Sequence, residues 1–251
     1  YVPLVPPAFS FNPDVLEDAF RQPGVKALIL CNPSNPSGKV FTREELTIIA
    51  DLAKKYDLYV ITDEVYEHIL YKPHEHVYMA TLPGMRERTI ICSSLSKTYS
   101  ITGWRIGYVI ASPDITERVK KVHDFLTIGA AAPLMEAVVV GLNFGDEYYE
   151  ELQQHYTHMK ELFCKGLRNI GLSFVEPQGA YYVMVDISEF GYGNDYDFAV
   201  DLARKVGVGS VPGSSFFKED VHDYVRFHFA KKDETLKAAL DRLAEIRNKM
   251  K

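Results

Sequence analysis

The protein has 251 residues, with 28 Lys and Arg against 34 Asp and Glu, which gives a formal net charge of −6. Hydrophobic residues make up 47% and charged residues 25%, which suits a globular protein of one large or two smaller domains. The acidic balance, without a basic block, argues against a nucleic-acid surface. The longest apolar stretches have about seven residues, whereas a membrane-spanning helix needs ~20.

The three cysteines predict neither a disulfide framework nor a zinc site, because Cys31, Cys92 and Cys164 are odd in number and widely spaced. Cys31 and Cys92 lie in apolar runs, where cysteine behaves as a small hydrophobic residue. The first residues, YVPLVPPAF, lack the basic and long apolar regions of a signal peptide. These features favour a reducing, cytoplasmic location.

The first half of the chain alternates predicted helices with apolar strands. Asn12 before Pro13 is typical of a helix start, and Thr42 with Glu45 predicts a capping box. The turn formers of NPSNPSG (32–38) end the first strand. Helices are predicted over 13–22, 42–57 and 114–126 and from about residue 133, and strands over 25–32, 58–64, 89–94 and 105–112. This order predicts an α/β fold with a mostly parallel sheet covered on both faces.

The pattern changes after about residue 145. A long helix over 147–171 is predicted to end at Gly171. Strands are then predicted over 173–177, 180–187, 209–213 and 224–230, and helices over 197–207 and 233–251. The sequence therefore predicts two domains, residues 1–150 and residues 151–251, of which the second is a smaller α+β domain.

Polar side chains follow three predicted strands of the first domain, over 25–32, 58–64 and 89–94, and Arg105 lies where the fourth begins. In open α/β sheets, ligands bind beyond the carboxyl ends of the strands. Taken singly, Asp63 could cap a turn and Lys97 could be a solvated surface lysine. The convergence of different functional groups on one edge favours a binding site instead. The residues concerned are Asn35, Asp63, Tyr66, Ser94, Ser96, Lys97 and Arg105.

This set of side chains matches what pyridoxal phosphate needs from a protein. A lysine in a partly dry pocket, here Lys97, can lose its proton and form a Schiff base. A carboxylate, here Asp63, keeps the ring nitrogen protonated, so that the ring can accept electrons. Asn35 and Tyr66 could donate hydrogen bonds to the phenolic oxygen of the cofactor. Ser94 and Arg105 could bind its phosphate.

Four motifs resemble the class I pyridoxal-phosphate-dependent aminotransferases, the aspartate aminotransferase superfamily of fold type I. They are NPSNPSG, TDEVY (62–66), SLSKTYSITGWRIGY (94–108) and VRFHFA (225–230). The S-x-S-K motif, with an arginine eight residues after the lysine, is specific, and the resemblance spans nearly the whole chain. It implies a fold type I large domain, incomplete here, followed by the small C-terminal domain.

The resemblance also implies roles for individual residues. Lys97 would be the Schiff-base lysine and Asp63 the partner of the ring nitrogen. Arg226, in VRFHFA, would hold the α-carboxylate of the substrate. Asn35 and Tyr66 would bind the phenolic oxygen, Asn35 would also contact the substrate, and Ser94, Ser96 and Arg105 would bind the phosphate.

Two further segments resemble the methionine, kynurenine and glutamine transaminases. They are KVHDFLTIGAAAPLMEA (121–137) and FAKKDETL (229–236). This resemblance implies an amino acid substrate with an apolar, methionine-like or aromatic side chain, a 2-oxo acid acceptor and a homodimer. Tyr181 and Tyr182 could line the site or belong to the core.

The resemblance leaves two alternatives open. The same residues could catalyse β-elimination in a C–S lyase, or the chain could be a non-catalytic regulatory domain that resembles an aminotransferase. A dehydrogenase is disfavoured, because no G-x-G-x-x-G follows a strand. Family members have further chain before the position of Tyr1, so part of the phosphate site and of the dimer interface is expected outside this sequence.

Overall fold

A computed structural model describes residues 1–250, which divide into two compact units. The sheet unit comprises Asn12–Pro33 and Val40–Gln153, and the C-terminal unit comprises Tyr1–Phe11, Ser34–Lys39 and the residues from Gln154 onwards. The domain limits 1–150 and 151–251 stay a prediction. Lys251, the last residue of that second domain and of the predicted helix 233–251, lies outside the described residues. Within residues 1–250, no helix combines the length and the apolar character needed to cross a bilayer.

The sheet unit contains four strands in the order β1-β2-β3-β4. They are β1 (Ala27–Cys31), β2 (Tyr59–Asp63), β3 (Thr89–Ser94) and β4 (Gly107–Ile110). The first three strands are parallel and β4 is antiparallel to β3, which confirms the mostly parallel α/β sheet. Because only short helical turns separate β3 from β4, the chain returns in the opposite direction.

The helices predicted over 13–22, 42–57 and 114–126 and from about residue 133 begin within about one residue of those positions. Asn12 Oδ1 accepts the Asp14 N–H at 2.8 Å, and the predicted capping box of Thr42 and Glu45 is present. The helices of this unit are α1 (Pro13–Arg21), α2 (Arg43–Lys55), α3 (Leu95–Thr98), α4 (Pro113–Leu126) and α5 (Ala132–Leu142). A further helix, α6 (Asp146–Ile170), starts in this unit, and short 3-10 turns lie at Met79–Thr81, Arg86–Arg88 and Thr102–Trp104.

The C-terminal unit contains an antiparallel sheet in the order β5-β7-β6. Its strands are β5 (Tyr182–Asp186), β6 (Val211–Pro212) and β7 (Tyr224–His228). Its helices are α7 (Asp195–Asp201), continued by a π turn at Leu202–Val206, then α8 (Asp233–Leu243) and α9 (Ile246–Lys249), with 3-10 turns at Ser188–Phe190 and Gly213–Phe216.

Three predicted elements of this unit are wrong in extent, and one of them, the strand predicted over 209–213, comprises only Val211–Pro212. The strand predicted over 173–177 is a single bridge between Phe174 and Val185. Pro177 has no N–H to continue a ladder, which limits that strand. The helix predicted over 233–251 ends at Leu243, and a separate turn of helix follows.

Gly38, at the end of NPSNPSG, occupies a conformation that favours glycine. Its φ is +70°, and a Cβ there would lie 3.0 Å from the Gly179 oxygen and 3.2 Å from the Pro177 Cβ. We expect Gly38→Ala to lower the free energy of unfolding by ~1–2 kcal/mol, measured by urea denaturation. Gly193→Ala is the control, because a Cβ at Gly193 meets no atom within 4 Å. Equal losses in the two variants would contradict this explanation.

Candidate active site

The carboxyl ends of β1, β2 and β3 lie at one edge of the sheet. The register pairs Cys31 with Asp63, and Asp63 with Cys92. The Asn32 N–H donates to the Asp63 carbonyl at 2.9 Å, and the Glu64 N–H donates to the Cys92 carbonyl at 2.9 Å. The backbone ladder therefore extends one residue past the strands and brings the polar residues that follow them to this edge.

Asp63 and Glu64 differ sharply in exposure, although they are consecutive. The Asp63 side chain is exposed, and its Oδ1 accepts the Val65 N–H at 3.3 Å. Asp63 forms no ion pair with any of residues 1–250. Tyr66, in the turn that follows, is buried with 2% of its surface exposed. This edge of the sheet thus presents one unpaired carboxylate, followed closely by a buried phenol.

Lys97 lies in α3, which begins where β3 ends. Ser94 caps this helix: its Oγ accepts the Ser96 N–H at 3.1 Å and lies 3.0 Å from the Ile106 carbonyl oxygen. The hydroxyls of Ser94 and Ser96 are 2.7 Å apart. Lys97 is half-buried, and its ammonium donates to no group within residues 1–250. The short helix therefore holds a partly desolvated amine that has no protein acceptor.

Arg105 lies next to this helix in a conformation that is unusual for arginine. Its φ is +56°, a left-handed conformation that costs a non-glycine residue ~1–2 kcal/mol and is found often at functional sites. Its guanidinium donates to the Thr102 carbonyl at 2.8 Å, and no carboxylate within residues 1–250 pairs with it. The β3–β4 register places Gly107 beside Ser94, so Arg105 reaches the edge that carries Ser94.

Two predicted site residues, Asn35 and Arg226, belong to the C-terminal unit. Arg226 lies in β7, and its Nη1 donates to Asn35 Oδ1 at 2.5 Å. Its guanidinium carbon is 4.3 Å from the centre of the Tyr182 ring and 4.6 Å from that of Phe216. Within residues 1–250 no carboxylate pairs with Arg226. The rest of its planar donor set suits a carboxylate ligand.

The two tyrosines considered at the sequence level differ in their contacts. Tyr181 stacks on Tyr156, with ring centres 5.7 Å apart, whereas Tyr182 faces the Arg226 guanidinium. Phe216, whose ring also lies against the Arg226 guanidinium, was not predicted from the sequence. No short-range signal links Phe216 to Arg226, because the two lie in different elements of the chain.

A buried acid, to which the sequence pattern assigned no role, lies beside Asp63. Glu64 is 1% exposed, and its carboxylate accepts the Thr62 hydroxyl at 2.7 Å and contacts His76 Nε2 at 2.9 Å. Burying a carboxylate requires such partners. The signal available in the sequence was a second acid directly after Asp63, but the distant His76 could not be assigned to it.

A second missed acid, Glu67, ties the turn after β2 to the neighbouring strands. Its carboxylate accepts hydrogen bonds from the hydroxyls of Tyr78 at 2.6 Å, Tyr108 at 3.0 Å and Ser93 at 3.1 Å. Burial and the charge of Glu67 outweigh the hydrogen bond from Ser93 and raise the pKa of Tyr108 to about 12. The phenol therefore stays protonated and continues to donate, which fixes the turn that carries Tyr66.

The charged groups at the edge of the sheet unit fit pyridoxal phosphate by their chemistry. Lys97 offers an amine that no protein group occupies, and Asp63 offers an exposed carboxylate. Arg105 offers a guanidinium without a carboxylate partner, as an anionic phosphate requires. An amine, an acid and a phosphate-binding cation are the three groups that this cofactor needs.

Comparisons with known proteins agree with this chemistry. The sequence profile of the family "Aminotransferase class I and II" matches residues 1–243. The kynurenine–oxoglutarate transaminase of Dictyostelium discoideum is 36% identical over 263 residues, which cover 95% of this chain and 60% of that protein.

Two solved structures are similar over almost the whole chain. The N-succinyldiaminopimelate aminotransferase of Mycobacterium tuberculosis has a TM-score of 0.91 and 35% identity, with 96% of this chain and 64% of that chain covered. YbdL from Escherichia coli, which has a methionine aminotransferase function, has a TM-score of 0.91 and 32% identity, with 96% and 63% covered.

The chain spans about three fifths of the length of these relatives, from 60% to 64%. The profile match extends from the first residue to Leu243, the last residue of α8. The sheet topology is that of the fold type I aminotransferases. The chain therefore belongs to the class I and II aminotransferases, and the class I members of this family depend on pyridoxal phosphate.

Proposed function

We propose that the protein is a pyridoxal-phosphate-dependent aminotransferase, which moves the amino group of an amino acid to a 2-oxo acid. The observation that carries this proposal is the half-buried amine of Lys97, which has no protein partner within residues 1–250. It lies at the same edge of the sheet as the unpaired carboxylate of Asp63. Membership of the family supports the proposal further.

In this proposal each site residue has a defined role. Lys97 attaches the cofactor through Nζ, and Asp63 holds a proton at the ring nitrogen. Arg226 binds the α-carboxylate of the substrate. The phenolic oxygen is held by Asn35 and Tyr66, of which Asn35 also contacts the substrate, and the phosphate is held by Ser94, Ser96 and Arg105.

When bound, pyridoxal phosphate supplies the electron sink that stabilises negative charge at the α-carbon of the substrate. Lys97 would act as the general base: its Nζ would take the α-proton of the substrate and later return it. Asp63 would pair with the ring nitrogen and hold a proton there. Arg226 would hold the substrate through its carboxylate.

The proposed substrate is an amino acid with an apolar, methionine-like or aromatic side chain. A kynurenine transaminase and a protein with methionine aminotransferase function lie among the similar proteins. The rings of Tyr182 and Phe216 beside Arg226 supply apolar surface where such a substrate would bind. We further propose a cytoplasmic homodimer, to be tested by light scattering on the complete protein and by cell fractionation.

Spectroscopy of the complete protein, as its gene encodes it, tests the proposed function. The purified protein should be yellow, and borohydride should fix the cofactor to the peptide that contains Lys97. Mixing with methionine, kynurenine or phenylalanine and a 2-oxo acid should yield the matching 2-oxo acid product. A colourless protein that takes no label would overturn the cofactor assignment. Pyruvate and a thiol released from a cysteine conjugate would instead indicate β-elimination.

Replacing Arg226 should weaken substrate binding more than it slows chemistry. Removing one partner of a desolvated charge pair costs ~2–4 kcal/mol, so Arg226→Ala should raise KM roughly 30- to 1000-fold. We expect a much smaller change in kcat, because Arg226 holds a part of the substrate that does not react. Steady-state kinetics with the preferred amino acid measure both constants.

The matched control for this prediction is Arg204→Ala in the same unit. Arg204 is exposed and lies beside Asp201, and its loss removes the same charge. We expect KM to stay within about twofold of the wild type, since exposed ion pairs contribute little. An Arg226→Ala enzyme with an unchanged KM would contradict the proposed carboxylate contact.

A further inference from the structure

Asp195 carries a buried carboxylate whose hydrogen-bond partners all lie in one segment of the chain. It is the first residue of α7, and none of its surface is exposed. Its Oδ2 accepts the Ser214 N–H at 2.6 Å, and its Oδ1 accepts the Ser214 hydroxyl at 2.8 Å. His222 Nδ1 lies 3.3 Å from Oδ1. These contacts, which offset the cost of burying the charge, come from one segment, residues 213–222.

That segment holds an aromatic ring against Arg226. It begins with the 3-10 turn Gly213–Phe216, which ends with the Phe216 ring 4.6 Å from the Arg226 guanidinium carbon. The turn runs close to β7, because a Cβ on Gly213 would lie 2.5 Å from the Tyr224 oxygen. The contacts of Asp195 with Ser214, two residues before Phe216, therefore fix the backbone from which this ring projects.

The two rings around Arg226 are held in different ways. Tyr182 is 9% exposed and belongs to β5, so the sheet fixes its position. Phe216 is 37% exposed and belongs to a turn, so its position depends on what anchors the turn. Contact with two aromatic rings restricts the orientation of the guanidinium and its planar donors, and a carboxylate with two oxygens requires such a fixed orientation.

Asp195 is not needed to cap the helix that it begins. The N-cap of α7 is Asn194, whose Oδ1 accepts the Asp197 N–H at 2.8 Å. The Asp195 carboxylate instead faces the 213–222 segment. Burial alone would raise its pKa, but the hydrogen bonds from Ser214 and His222 outweigh burial and lower it, so the group is ionised.

We propose that Asp195 is a positioning residue. Through Ser214 it holds Phe216 against Arg226, and so sets the affinity of the site for the carboxylate of the substrate. This inference rests on the proposed role of Arg226 as the carboxylate-binding residue. Asp195 itself contacts neither substrate nor cofactor in this proposal.

The test measures carboxylate binding by the complete protein loaded with its cofactor. The probe is 3-phenylpropionate, an unreactive carboxylate, and calorimetry gives its dissociation constant. Loss of one aromatic contact with a cation corresponds to roughly a 3- to 30-fold weaker affinity. We expect losses in that range for Asp195→Asn, Ser214→Ala and Phe216→Leu. The Asp195→Asn/Phe216→Leu double variant should bind about as weakly as Phe216→Leu alone, because both changes act on one contact.

Three control variants separate positioning from stability. Ser214→Thr keeps the hydroxyl and should restore affinity relative to Ser214→Ala. Asp197→Asn removes an exposed charge from the same helix, and Ser215→Ala removes the hydroxyl next to Ser214. Both should leave the dissociation constant unchanged. Thermal unfolding of each variant shows whether a loss of affinity goes beyond a loss of stability.

The outcomes are distinguishable. Positioning by Asp195 is wrong if folded Asp195→Asn binds the probe like the wild type while Phe216→Leu does not. It is also wrong if the losses of affinity of the two single variants add in full in the double variant. If Asp195→Asn does not fold, Ser214→Ala against Ser214→Thr decides in the same way. If Arg226→Ala binds the probe as tightly as the wild type, the proposed role of Arg226 fails first, and this inference fails with it.

Discussion

Lys97→Ala is expected to reduce transamination by at least about 10⁴-fold and to leave the fold intact. The lysine is both the attachment point for the cofactor and the base in the proposed function, so one substitution removes both tasks. The fold should survive, because the Lys97 side chain has no hydrogen bond or ion pair within residues 1–250. Activity assays and circular dichroism on the complete protein measure the two effects.

A second lysine provides the control for this prediction. Lys121 is exposed in α4, and Lys121→Ala should retain nearly full activity and full labelling by borohydride. Lys97→Ala should take no covalent label, although it can still bind the cofactor through its other contacts. Substantial turnover by Lys97→Ala, or a label on another lysine, would show that the base has been assigned to the wrong residue.

The sheet and the polar residues at its edge could be predicted because their signals are local. Apolar runs and turn formers mark β1, β2 and β3, and the capping residues Asn12 and Thr42 mark the starts of two helices. The carboxyl ends of parallel strands meet at one edge whatever the details of packing. Asp63 and Lys97 therefore came to the same edge of the sheet, as predicted.

Contacts between distant parts of the chain could not be predicted in the same way. Asn35 and Arg226 are 191 residues apart in sequence, and their hydrogen bond depends on the fold of the C-terminal unit. The contact of Phe216 with Arg226, and the buried pair of Glu64 and His76, have no periodic signal either. The family resemblance could assign a role to Arg226, but it could not predict the contacts of Arg226 with Tyr182 and Phe216.

The predicted boundaries of helices and strands were wrong where local propensity and packing disagree. Residues 173–177 have the composition of a strand, but only Phe174 forms a bridge. The last predicted helix looks continuous in sequence, yet it ends at Leu243 before a second short helix. The left-handed backbone of Arg105 is likewise invisible in a motif that reads as the start of a strand. In the structure β4 begins only at Gly107, and the Arg105 side chain is exposed.

Asp63→Asn should slow catalysis by about 10²–10⁴-fold without removing the cofactor. An amide has no negative charge to hold a proton at the ring nitrogen, so the electron sink for the substrate is weakened. The local structure should persist, because an amide oxygen can still accept the Val65 N–H that Asp63 Oδ1 accepts at 3.3 Å. The effect should therefore appear in kcat, with borohydride still labelling Lys97.

Two variants check that this effect depends on the charge at position 63. Asp63→Glu keeps a carboxylate and should recover part of the lost rate. Asp51→Asn removes an exposed carboxylate that pairs with Lys54 on α2, and we expect no change in kcat. If Asp63→Asn turned over at the wild-type rate, Asp63 would not be the partner of the ring nitrogen. If the label on Lys97 disappeared as well, Asp63 would act mainly in holding the cofactor, and the loss of rate would follow from that.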